Sequence, residues 1–184
     1  MVKSKFGNRR AVARWEIGGF FFINLLGSLL HFVFDWFGRW RPLALIAAVN
    51  ESTWEHLKLA FWPALLFMLI EHKYLGKQTR NFLFGKVLSF YVMPAVIILL
   101  FYGYLWIVGQ DVLVLDILIF VFAVGVGQLV SFMILSAEQE ISFPRKVSMI
   151  LLAILTLAFL AFTFLPPRML FFKDPVTGGY GIID

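Results

Sequence analysis

The chain has 184 residues, 61% of them hydrophobic and 15% charged, with a net charge of +5. A soluble domain carries about 25% charged and 45–50% apolar residues, so an ordinary soluble domain is excluded. The absence of cysteine excludes disulfides, thiolate catalysis and cysteine-based metal or iron–sulfur sites. The basic residues gather at the ends of apolar runs, which excludes nucleic-acid binding through a soluble basic face.

The first segment, 1–16, is a basic tail with Lys3, Lys5, Arg9, Arg10 and Arg14. A signal peptide begins similarly, but its apolar core is only about 7–15 residues long. Here the apolar run from Ile17 continues into His31 and Asp35 without a small-residue cleavage site, which predicts a retained first span. A bilayer crossing takes about 20 residues. The pattern predicts five spans, at 17–37, 53–72, 81–108, 111–136 and 147–165. The predicted fold is therefore all-α, a polytopic transmembrane helical bundle over 17–165. A shorter apolar piece at 43–49 is predicted to be a re-entrant or interfacial half-helix. Ser52-x-x-Glu55 matches a capping box and predicts that the second span starts at Ser52. Pro63 and Pro94 predict kinks, and Pro166-Pro167 ends the fifth span.

The basic residues divide 11 against 5 between the two sides of these spans. That bias predicts a multi-pass protein of the cytoplasmic (inner) membrane, with the N-terminus inside and the C-terminus outside. Residues 166–184 would then be an extracytoplasmic segment. Their turn residues and Phe171-Phe172 suggest a loop folding over the outer face, carrying Asp174 and Tyr180 toward it.

Ionisable groups inside spans are costly and point to function. Asn24, Ser28, His31 and Asp35 are spaced by 4, 3 and 4 residues, so they share one helix face. At about 1.5 Å per residue, His31, Asp35, Glu51, Glu55, His56, Tyr102 and Asp116 fall in one layer near the outer boundary of a ~30 Å core. The same count places Asn24 and Gln128 near mid-bilayer, where an interhelical hydrogen bond is expected. Trp36, Trp40, Trp54 and Trp106 fit an outer aromatic belt. His72, Glu71 and Lys73 read as a solvated inner end, as do Glu138 and Glu140.

The densest cluster is Asn50-Glu51-Ser52-Thr53-Trp54-Glu55-His56-Leu57-Lys58. One reading is a metal site, in which His31, His56 and a carboxylate from Glu51 or Glu55 bind a divalent metal such as zinc. The metal would activate water and the remaining carboxylate would act as general base, giving hydrolysis of a lipid-like or small substrate. The alternative is structural, with Ser52 capping the helix, Glu55 completing the box and Lys58 snorkelling to the surface. A broken helix at Asn50-Glu51 also fits a small transporter or a binding subunit of a membrane complex.

The segments Asn50-Glu51-Ser52-x-Trp54-Glu55-His56-Leu57-Lys58 and Lys173-Asp174-Pro175-x-Thr177-Gly178-Gly179-Tyr180-Gly181 resemble the hallmarks of a small prokaryotic integral-membrane family, a domain of unknown function. The resemblance extends over essentially the whole chain. It implies a bacterial or archaeal multi-pass membrane protein and transfers no catalytic role. The ceramidase-like membrane hydrolases are comparable only by analogy, because this chain lacks their paired-histidine motif in the last span.

Overall fold

The computed structural model describes residues 9–183. Lys3 and Lys5 of the basic tail lie outside the described residues. Five long helices follow one another: α1 (Arg9–Trp36), α2 (Thr53–Leu75), α3 (Phe82–Val108), α4 (Leu113–Leu135) and α5 (Arg145–Phe164). Among the described residues the only strand-like pairing is one isolated bridge, Lys173 to Tyr180. α1, α3, α4 and α5 are long and apolar enough to cross a membrane. By length and composition the chain is thus an all-α membrane bundle. α2 is as long as α4 at 23 residues, but it carries Glu55, Lys58, Glu71 and Lys73 and buries the first three.

α1 begins at Arg9 rather than near 17. The basic flank contains good helix formers, and extending the helix carries Glu16 into the interior. Phe61 lies at the centre of the core, 5.7 Å from Phe90 of α3 and 4.9 Å from Phe159 of α5, measured between ring centroids. Outward, α1, α4 and α5 expose Phe21, Leu25, Leu118 and Ile154. Lipid tails are as apolar as these side chains, so exposure there costs little.

Helix contact within a bilayer relies on close packing of small residues. Gly27 of α1 shows this: a Cβ there would stand 2.6 Å from the Leu59 carbonyl oxygen of α2. That carbonyl lacks its usual helical donor, because Pro63 four residues on has no N–H. The α-hydrogen of Gly27 faces the vacant carbonyl instead, a weak C–H···O contact. Gly27→Ala is expected to destabilise the bundle by about 1–3 kcal/mol through overpacking. Thermal unfolding in detergent checks this, and an unchanged midpoint would mean the helices have slack here.

The apolar piece at 43–49 is a single 3-10 turn, Arg41–Leu45, followed by irregular backbone in which Ala47, Ala48 and Val49 are buried. It packs with Phe34 and Ile182. Lys58 holds it, donating to the Ala44 carbonyl at 2.9 Å. The structural alternative places Lys58 at the surface, but it is fully buried. Its ammonium pairs with Glu55 at 2.6 Å and donates to Thr163 of α5 at 2.8 Å. A buried amine with three oxygen partners has no reason to snorkel.

Other polar expectations also change. Ser52 occupies the N-cap position, but its side chain makes no cap bond. Glu55 reaches past it to accept the Val49 N–H at 3.1 Å, so the capping box is not formed. Asn24 donates to Phe20 O one turn back, while Gln128 donates to Glu16 O, so these two do not bond each other. Glu71 is buried rather than solvated and pairs with Lys86. Trp36, Trp40 and Trp106 are exposed at one end of the bundle. Trp54 instead packs on Phe159, Phe162, Phe171 and Phe172.

Candidate metal centre

The approach of α1 to α2 at Gly27 and Leu59 has a direct consequence one turn further along each helix. His31 is four residues beyond Gly27 and His56 three residues before Leu59. Both spacings keep a side chain on the same helix face. The two imidazoles therefore meet, with their Nε2 atoms 3.2 Å apart. Glu51, from the loop just before α2, places Oε2 3.5 Å from His31 Nε2 and 3.4 Å from His56 Nε2.

The size of this triangle is informative. Ligand atoms bound at 2.0–2.1 Å around a tetrahedral zinc stand about 3.3–3.4 Å from one another. Three atoms separated by 3.2–3.5 Å therefore match one face of such a tetrahedron. His31, Glu51 and His56 form the cluster of metal-capable side chains found among the described residues. All three remain partly open, at 28%, 49% and 33% side-chain exposure.

Surrounding contacts fix the orientation of these side chains. His56 Nδ1 lies 3.0 Å from the Ser52 carbonyl oxygen. An N–H donated there leaves the Nε2 lone pair facing the cluster, the arrangement that a metal-binding histidine would need. The Glu51 loop is tied on both sides. Glu55 holds Val49, and Asn50 Oδ1 accepts the Ser52 N–H at 2.8 Å. The C-terminal segment supplies the rest. Asp174, buried, accepts the Glu51 N–H at 3.3 Å and the Thr177 N–H at 3.0 Å. Asn50 Nδ2 donates to Gly181 O at 2.8 Å, and Arg39 donates to Ile183 O at 3.1 Å.

The sequence-derived candidates thus separate into groups. His31, His56 and Glu51 converge. Asn50, Ser52 and Asp174 support them. Glu55 and Lys58 are committed to each other and to the Arg41–Leu45 turn. Asp35 pairs with Arg39 at 3.0 Å on the surface. Ser28 donates to Asn24 O and is spent within α1. Tyr180 enters through its backbone bridge to Lys173. At the same end Tyr104 donates to Asp116 at 2.5 Å and also lies 2.9 Å from Asp111.

Hydrogen bonds from His31 and then His56 hold the Glu51 carboxyl well below the usual carboxylate range, against the opposing effect of partial burial. A depressed carboxyl contributes stability that is complete above its unfolded pKa and is lost as pH falls through its lower folded value. Glu51 therefore stays an anion at neutral and mildly acidic pH, and protons compete with a metal only at the imidazoles. Zinc affinity is expected to be flat at alkaline pH and to fall as the pH is lowered and the imidazoles take up protons. With two protons displaced, one from each imidazole, the acid limb steepens toward about 100-fold per pH unit. Titration with a competing chelator from pH 5 to 8 checks the slope.

Sequence reasoning missed Glu16, Lys86, Ser131 and Thr163, all of them buried. The available signal was Glu16 itself, the only acid before Asp35.

No curated protein and no solved structure matches the chain. A family described as one of unknown function matches residues 4–182. The chain therefore belongs to this family, DUF6512.

Proposed function

We propose that this membrane protein is a metal-dependent hydrolase whose divalent ion, zinc by ligand type, is held by His31, Glu51 and His56. The observation carrying this reading is the triangle of ligand atoms at 3.2, 3.4 and 3.5 Å. Structural zinc sites are closed by four protein ligands, whereas catalytic sites keep three and leave a position for water. Three partly exposed ligands fit the second kind. The ion would lower the pKa of a bound water toward about 7 and polarise the oxygen of an ester or phosphoester. Water adds to the electrophilic centre, the bond to the leaving oxygen breaks, and the proton of the water ends on that oxygen.

Glu55 is unsuited to act as the base, because it is buried in its pair with Lys58. Glu51 serves as ligand. The bias of basic residues supports an orientation with this end outside the cytoplasmic membrane. The exposed Trp36, Trp40 and Trp106 support a position at the headgroup level, where a lipid-like substrate presents its polar part.

The test is turnover of lipid and small-molecule esters and phosphoesters by zinc-loaded protein. Turnover that stops with chelator and with His31→Ala supports the reading. A second reading, transport, draws on the buried charged cluster at Lys86. Zinc or proton flux in proteoliposomes without turnover would favour it.

A further inference from the structure

At the opposite end of the bundle three ionisable side chains meet inside the protein. Lys86 of α3 lies 2.7 Å from Glu16 of α1 and 2.5 Å from Glu71 of α2. All three are at least 96% buried. Ser131 of α4 adds a hydrogen bond to Glu16 Oε1 at 2.7 Å, and Gln128 donates to the Glu16 backbone carbonyl. Among the described residues, α1, α2, α3 and α4 each contribute a group to the cluster. Glu16, Glu71 and Lys86 are its titratable members, and α4 contributes only neutral groups.

The charges do not balance. Two carboxylates share one ammonium, so full ionisation leaves a net charge of −1 in a low-dielectric interior. An uncompensated buried charge is strongly disfavoured and is removed by taking up a proton. The hydrogen bonding points the same way. Glu16 Oε2 and Glu71 Oε1 are buried and have no partner, which is unusual for carboxylate oxygens. A neutral carboxylic acid is far less costly to leave unpartnered in the interior than an ionised carboxylate.

We infer that Glu16 and Glu71 together hold one proton at neutral pH, forming a proton-binding site centred on Lys86. The site lies one helical turn inside the basic end of the bundle. Glu71 is four residues from the end of α2, Lys86 four from the start of α3, and Ser131 four from the end of α4. It is separated from the His31–Glu51–His56 centre by 15 residues along both α1 and α2, about 22 Å. Because its members sit on three different helices, a shift of α1 against α2 and α3 separates Glu16 from Lys86 and changes the number of protons held.

The test is infrared spectroscopy of the full chain in lipid vesicles at neutral pH. The expected result is a protonated-carboxyl C=O band that moves in heavy water. Glu16→Gln and Glu71→Gln should each abolish it, because the remaining carboxylate then forms a neutral pair with Lys86. Each single variant should keep the wild-type unfolding temperature, while the double variant, with Lys86 unpaired, should unfold lower. Should a Gln variant fail to fold, Glu16→Asp and Glu71→Asp keep both charges and should shift the band. No such band in the wild type, or a band indifferent to all of these changes, overturns the inference.

Discussion

His31→Ala and His56→Ala are each expected to lower zinc affinity by more than about 100-fold. Loss of an outer-shell partner alone typically costs 10–100-fold, and these changes remove a ligand atom. Neither imidazole supports the fold heavily. Both are about one-third exposed, and they contact each other and Glu51 at the bundle end. Unfolding temperature in the absence of zinc should therefore move little, so that binding and stability separate. Glu51→Gln should weaken zinc binding too, since the neutral amide keeps an oxygen but loses the charge. Competition titration against a chromophoric chelator gives the affinities. Equal affinity in the wild type and all three variants would place zinc elsewhere.

The second large effect concerns Lys58. Replacing it with Met keeps the length of the side chain but strands the Glu55 carboxylate in the interior. Breaking one side of a buried ion pair typically costs about 3–5 kcal/mol. The Ala44 carbonyl and the Thr163 hydroxyl lose their donor as well. Because Glu55 also holds the Val49 N–H, the loop carrying Glu51 should loosen. Lys58→Met is thus expected to lower both the unfolding temperature and the zinc affinity. The double change Lys58→Met with Glu55→Leu removes both charges and should recover part of the stability. It should not recover the tether on Val49, so zinc affinity should stay low. Recovery of both would show that the tether is unimportant.

The bundle was largely legible because its signals are local. Span length, apolar runs and proline or glycine breaks fix five helices without tertiary information. The proximity of His31 and His56 was legible too, since a count of residues along each span puts them at one height. The choice between Glu51 and Glu55 was not. Glu51 precedes α2, and its reach depends on a loop shaped by Lys58, Asn50 and the distant Asp174. Lys58 looked like a snorkelling residue because its partners, Ala44 and Thr163, lie 14 and 105 residues away. Glu16 was hidden by the helix boundary. Starting the span at 17 leaves it in a basic tail, whereas a helix from Arg9 turns it inward against Lys86. The ion pairs that organise this interior are long-range, and helical periodicity carries no record of them.

The central claim is that His31, Glu51 and His56 coordinate one metal ion. X-ray absorption spectroscopy of protein loaded with one equivalent of zinc tests it directly. The expected result is a four-coordinate nitrogen and oxygen shell at about 2.0–2.1 Å. It should show two imidazoles by outer-shell scattering and fall to one in His31→Ala. A six-coordinate all-oxygen shell, or failure to retain stoichiometric zinc, would contradict the account.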